Sequence, residues 1–321
     1  MQQKKSLFIF IVLALAVGII TYAAAFELQS NSDAVSFFPD NAAQKPQFLN
    51  AFGHTGKGRL KQPMALAVDQ QKKIYVTDAG TANIKVYSSD GQYIKSFGSK
   101  GAGNGEFGYP YGIVVLPNGE IVIADSENLN VQIFSNDGRY VRTILGAAQK
   151  TKPGALAVGD KGQIYISDLL NHQIIVMDAK GKLLRKLKPA ASSFSYPQEI
   201  VLGQGDRELW VADSGNFAVK QIDRKGLVAG TIREWGVPPQ PFSLVRGIGL
   251  DKQNRLMIAD TLNGTIHVMT RDGRVVFSFD GLDSPAGAMI YPSFIYVDAS
   301  GKIYIADRGA GQVQVWGYDR Q

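Results

Sequence analysis

The chain has 321 residues, of which 45% are hydrophobic and 19% charged, with 35 Gly and 13 Pro. That composition supports a packed core and excludes a disordered or low-complexity protein. The 34 Lys and Arg against 28 Asp and Glu leave a formal charge of +6, too mild to signal nucleic-acid binding, and the lack of Cys excludes disulfides, thiolate metal sites, Cys nucleophiles and Cys-linked lipid.

At the N-terminus Lys4 and Lys5 precede an apolar run from Leu7 to Ile20, followed by Thr21, Tyr22, Ala23, Ala24, Ala25 and Phe26. A charged start before an apolar stretch is a membrane-targeting signal, and a helix over 7–26, about 30 Å long, reaches across a bilayer core. Ala23 and Ala25 are also spaced for signal peptidase, so 1–26 reads as a transmembrane signal-anchor or as a signal peptide cleaved at Ala25-Phe26. Both place the rest outside the cytoplasm, anchored N-in and C-out or secreted, because Lys4 and Lys5 hold the N-terminus inside. Residues 27–46 mix Ser, Asn, Asp, Ala, Gln and Pro without periodicity and read as a linker.

From Gln47 onward the sequence repeats. Six short apolar runs end in Asp78, Asp125, Asp168, Asp213, Asp260 and Asp307, at spacings of 47, 43, 45, 47 and 47. Around each run the order recurs: a Pro such as Pro63, Pro110, Pro153, Pro197 or Pro292, an apolar run, a turn, the run ending in Asp, a turn, a third run, a turn such as Asp90-Gly91 or Asp137-Gly138, and a last run. Four short strands joined by tight turns make an antiparallel blade. The second strands are apolar on both faces, as at Ile164, Tyr165 and Ile166, which requires a neighbour on each side. The last unit stops one strand short, and the missing strand stands at the front: Gln47-Phe-Leu-Asn-Ala-Phe-Gly53 matches the outer strand Gln92-Tyr-Ile-Lys-Ser-Phe-Gly98 at Gln, Phe and Gly. The expectation is an all-β, six-bladed β-propeller over 47–321, closed by strand 47–53 and preceded by the N-terminal helix.

The Pro, the strand ending in Ile-Ala-Asp, an Asn three residues later (Asn128, Asn171, Asn216, Asn263) and the Asp-Gly turn together resemble the NHL repeat. Blade three, Asp168-Leu-Leu-Asn171-His172-Gln173-Ile174, is nearest the family form, and the loop from Gly98 to Phe107 resembles the loop that precedes NHL units. Blades one and six depart, with Thr81 and Ala310 in the Asn position. The resemblance implies a propeller of a kind that serves as a protein-binding, RNA-binding or sensor module, with amidating-lyase-like, strictosidine-synthase-like and lactonase-like enzymes among its relatives.

The six Asp residues recur with the scaffold, so they read as turn carboxylates that accept backbone N–H groups. The run Gly101-Ala-Gly103-Asn-Gly105 leads into Pro110 and a strand, not a helix, which excludes a dinucleotide loop. His54, His172 and His267 fall in different parts of the ring, so no metal site and no cofactor are expected. Glu199 stands alone in a slot held elsewhere by Ala65, Gly112, Ala155, Gly247 and Phe294; it is read as an ion-pair partner of Arg246 in the next blade, or as the channel carboxylate of a hydrolase or lyase with a bound divalent cation. The residues after the repeat's Pro, or after the Val245 that replaces it in blade five (Met64, Tyr111, Gly154, Gln198, Arg246 and Ser293), differ in every blade and are candidates for ligand binding at the channel mouth. The inter-blade loops share their face with the turns after the second strands and carry Lys57, Arg59, Lys61, Lys100, Lys150, Lys152, Lys188 and Arg246 against Glu106, Glu199 and Asp283. The opposite turns are near balance. These features predict a monomeric, non-catalytic module that engages a protein or an anionic envelope polymer through the loop face, with membrane contact through the N-terminal helix and no nucleic acid.

Overall fold

The computed structural model describes residues 44–189, 194–236 and 238–318. The predicted signal or anchor segment lies outside the described residues, as does the linker as far as residue 43. Among the described residues no helix is long and apolar enough to cross a membrane.

Six four-stranded antiparallel sheets form the blades of a propeller. Blade 1 runs through Pro63–Val68, Ile74–Asp78, Asn83–Tyr87 and Tyr93–Phe97. Blade 2 has Pro110–Val115, Ile121–Asp125, Asn130–Phe134 and Tyr140–Leu145, and blade 3 has Pro153–Val158, Ile164–Asp168, Gln173–Met177 and Leu183–Leu187. Blade 4 comprises Pro197–Leu202, Glu208–Asp213, Ala218–Asp223 and Val228–Ile232, and blade 5 Val245–Leu250, Leu256–Asp260, Thr265–Met269 and Val275–Phe279. Blade 6 takes only Pro292–Val297, Ile303–Asp307 and Gln312–Gly317 from the C-terminal end of the chain. Its fourth, outer strand is Gln47–Phe52, paired antiparallel to Gln312–Gly317 with Phe48 opposite Trp316.

The inner strands touch in ring order, and that of blade 6 meets that of blade 1. Closure therefore rests on a strand from one end of the chain completing the blade at the other, which covers an edge that would otherwise expose unpaired backbone groups. Phe48 packs edge-on against Trp316 at 5.5 Å, and Phe52 lies 4.7 Å from Tyr87 of blade 1, so the donated strand also bridges two blades. The turn at Asp90-Gly91 needs its glycine twice over. Gly91 sits at φ +78°, and a Cβ there would come within 2.8 Å of Phe52.

The second and third strands are buried on both faces, as stacking between blades demands, and the apolar core runs as clusters between neighbouring blades. At the axis the inner strands converge. A Cβ on Gly112 would lie 2.4 Å from the Gly154 carbonyl oxygen, which is why small residues occupy most third positions of the inner strands.

Candidate functional site

The six repeat Asp side chains are fully buried at the ends of the second strands. Asp125 accepts the N–H groups of Gly108 (2.6 Å) and Tyr109 (2.9 Å) from the incoming loop, and of Glu127 and Asn128 (both 3.0 Å) from its own turn. Asp307 does the same with Ile290 and Tyr291, then Gly309 and Ala310. Each carboxylate thus ties the inter-blade loop to the neighbouring turn. Asn128, Asn171, Asn216 and Asn263 donate their amides to Asp125, Asp168, Asp213 and Asp260, and in blade 1 the Thr81 hydroxyl takes that place at 2.7 Å from Asp78.

Three of these carboxylates also face a basic side chain from the third strand. Lys85 pairs with Asp78, Lys220 lies 2.6 Å from Asp213, and His267 Nε2 lies 3.8 Å from Asp260. Burial opposes ionisation of Asp78, but hydrogen bonds from Lys85, Thr81 and the Gln62 N–H outweigh it and hold the carboxyl below its ordinary value. At Asp260 burial is likewise outweighed by His267 and Ser243.

The channel mouth on the loop face brings together Met64, Tyr111, Gln198 and Arg246, but with a chemistry that the sequence did not announce. Tyr111 donates its hydroxyl to Gln198 Oε1 at 3.0 Å, a strut from blade 2 to blade 4. Arg246 stacks on the ring of Tyr291, with its guanidinium carbon 5.3 Å from the centroid. Arg308, just after Asp307, lies 5.7 Å from the same ring. Tyr109 lies 6.4 Å from Tyr111, its hydroxyl contacts the Met64 sulfur at 3.4 Å, and the Gln62 amide oxygen accepts from both Arg308 Nε and the Tyr109 hydroxyl at 2.8 Å. Burial pushes the Tyr109 and Tyr111 hydroxyls up, so both remain neutral donors. Among the described residues neither arginine pairs with a carboxylate, and Arg246 Nε is buried with no partner. Ser293 is buried beside its own blade, its hydroxyl 3.4 Å from the Ala306 carbonyl oxygen.

Glu199 does not join this group, and its expected ion pair with Arg246 is not formed. It is 4% exposed, its Oε1 accepts only the N–H of Ile200 at 3.0 Å, and it lines the central channel instead. Side chains alternate along a strand, so second and third positions look in different directions; Gln198, not Glu199, is the positional counterpart of Arg246. Burial drives the Glu199 carboxyl well above its ordinary range.

Across the rest of the loop face Lys57, Arg59, Lys61, Lys100, Lys150, Lys152 and Lys188 are all exposed, and Lys100 makes a surface ion pair with Glu127 at 3.4 Å. Exposed apolar side chains share that face on blades 3 to 6: Leu170, Tyr196, Phe217, Leu262 and Ile290, between 51% and 63% accessible. The Gly-rich loop is a cap, in which Ser99–Lys100 pairs with Glu106–Phe107 and buried Phe107 packs 5.6 Å from Phe134. His267 is buried under Trp235 at 4.2 Å, His172 lies against Tyr196, and His54 is exposed. Among the described residues no three His, Asp or Glu side chains are placed to hold a metal ion.

Tyr109, Tyr291 and Arg308 escaped the sequence reading although each borders a repeat landmark. A Tyr precedes the repeat's Pro at Tyr109-Pro110, Tyr196-Pro197 and Tyr291-Pro292, and that recurrence was the available signal.

Residues 107–134 and 289–316 match the NHL repeat, and residues 59–116 match a family described as a 6-bladed beta-propeller. The chain thus carries NHL repeats in those two segments, and its fold is a six-bladed β-propeller. Among characterised sequences it is similar to Antigen Lp49 of Leptospira interrogans serogroup Icterohaemorrhagiae serovar copenhageni (strain Fiocruz L1-130), 32% identical over 126 residues, which cover 35% of this chain and 26% of that protein. The match spans about a quarter of that relative's length. Among solved structures it is similar to a catalytically inactive virginiamycin B lyase from Staphylococcus aureus with quinupristin (19% identity, TM-score 0.61, 84% of each chain). A gluconolactonase from Xanthomonas campestris is also similar (15% identity, TM-score 0.64, 81% of this chain and 86% of that one). At these identities the likeness shows the fold alone.

Proposed function

We propose that the propeller is an extracytoplasmic, non-catalytic binding module that takes an acidic, apolar-bearing segment of a partner protein on its loop face. The observation that carries this reading is the pair Arg246 and Arg308, both set on the Tyr291 ring at the channel mouth with no carboxylate partner among the described residues. Guanidinium groups held on an aromatic face are preorganised to receive carboxylates, because little side-chain freedom is lost on binding. The exposed basic residues around the mouth extend the attraction, and Leu170, Phe217, Leu262 and Ile290 offer apolar contacts that a purely anionic polymer would not use. The extracytoplasmic location rests on Lys4, Lys5 and the apolar run after them.

The alternative, a channel hydrolase or lyase with a divalent cation, draws support from the lyase and lactonase among the similar folds. The carboxyl that lines the channel, Glu199, is buried, which opposes its ionisation, and the six repeat carboxylates are engaged in holding loops. A binding surface fits these residues better.

The test is fluorescence anisotropy with a labelled peptide of alternating Glu and Leu, and with labelled poly-glutamate for comparison. Arg246→Gln combined with Arg308→Gln should weaken peptide binding tenfold or more, about 1.4 kcal/mol. Reversing the exposed turn-face residues Lys161, Lys180 and Lys225 to Glu should leave it within about threefold. Equal loss from both sets would remove the loop face as the site, and equal affinity for poly-glutamate would shift the partner to an anionic polymer.

A further inference from the structure

The channel behind the mouth has a separate chemistry. A cavity of about 320 Å³ follows the axis and is lined by the later residues of the six inner strands. Of the second-position residues that form the loop-face mouth, none contributes to its lining; of the third-position residues, only Glu199 and Phe294 do. The cavity therefore belongs to the turn-face half of the ring, below the Tyr111–Gln198 strut. Its outer rim is formed by the last residue of each inner strand: Val68, Val115, Val158, Leu202, Leu250 and Val297. All six are aliphatic and half-buried, so the entrance is an apolar collar.

At the inner end stands Glu199. The scaffold does not require a carboxyl there, since four of the other five blades use Ala or Gly in that slot, and burying one without full hydrogen bonding is unfavourable. Only Oε1 has a partner among the described residues, the Ile200 N–H, which leaves the rest of the carboxyl directed at the cavity. Burial favours the protonated acid, whose O–H is a donor. Tyr111 lies within electrostatic reach of it and Tyr296 lines the same cavity; among the described residues neither forms a hydrogen bond with it.

We propose that the central channel is a second ligand site, entered from the turn face, for a compact, uncharged, mainly apolar molecule carrying one hydrogen-bond acceptor, which the Glu199 carboxyl grips at the inner end. The collar selects against charge, and the Glu199 O–H favours a carbonyl or ether oxygen over a group that can only donate. A volume of about 320 Å³ is at the lower end of small-molecule pockets, and roughly 150 Å³ already accommodates benzene, so a bicyclic or cage molecule of roughly ten heavy atoms fits. This site is independent of the loop-face proposal and would stand if that proposal failed.

The experiment uses the full chain in lipid nanodiscs, with empty nanodiscs as reference, and ligand-detected NMR titration. The probes are 2-adamantanone, camphor and 1-adamantylammonium. Either ketone should bind at least about tenfold more tightly than the ammonium. Glu199→Gln, which keeps a donor, should hold ketone affinity within about threefold, whereas Glu199→Leu should lower it about fivefold or more. Val158→Trp, which narrows the collar, should abolish ketone binding, with melting curves confirming that each variant folds. Failure of both ketones to bind, preference for the ammonium, full affinity in Glu199→Leu, or full affinity in Val158→Trp would each overturn the assignment.

Discussion

Replacing Glu199 by Gln keeps the shape of the side chain and removes one titration, which turns the burial of this carboxyl into a measurable slope. In the unfolded chain the group has its ordinary value of 4.5, and in the folded protein burial raises it well above that. Between the two values the native state holds a proton that the unfolded state has released. Stability supplied by this group is therefore fully present below pH 4.5 and is lost as pH rises through the folded value. The loss amounts to about 1.4 kcal/mol for each pH unit inside that window. Each pH unit inside that window opens a further gap of that size between the variant and the parent, roughly 3–5 °C in melting temperature for a domain of this size. The lowered Asp78 and Asp260 titrate in both proteins and cancel in the difference. The assay is urea unfolding of both proteins at half-unit steps from pH 4 upward, read by tryptophan fluorescence. Parallel stability curves would refute the burial argument. A gap of opposite sign would mean that Glu199 is ionised and paired, and would restore the ion pair with Arg246.

Deleting residues 1–53 removes the strand that pairs with Gln312–Gly317 and takes Phe48 from Trp316 and Phe52 from Tyr87, so it should lower the melting temperature sharply or cause aggregation, whereas deleting 1–45 should change it little; equal melting of the two truncations would contradict closure by strand donation. Lys220→Met removes the cation from a pair in which both side chains are at most 2% exposed and should cost about 3–5 kcal/mol in denaturant unfolding. Adding Asp213→Asn should recover part of that loss, and no recovery would place the cost in the lost contact of the Lys220 ammonium with the face of the Phe194 ring instead.

What could be read in the sequence divides along the symmetry of the ring. The blades were legible because the same physics recurs: a buried Asp closing loop to turn and two apolar faces on the second strand in all six, and a glycine at the outer turn in blades 1 to 5. The closing strand was legible because Gln47 to Gly53 repeats an outer-strand pattern that the C-terminal blade lacks. The channel mouth was not, because its chemistry arises from positions that meet only when the ring is shut. Tyr109 and Arg246 come from blades 2 and 5, and Arg308 follows an Asp whose own role is structural; nothing local says that two guanidiniums will share the Tyr291 ring. The pairing of Glu199 with Arg246 failed for a related reason. Neighbouring blades bring equivalent positions together, and these two residues are one position apart, on opposite sides of the strand alternation. A repeat scaffold fixes the backbone at each position so firmly that a residue departing from its slot is held there against its own solvation preference. Glu199 in a slot of mostly small residues and Arg246 with no counterion among the described residues are two such departures, and each is stable only because the other five blades hold the ring that encloses it.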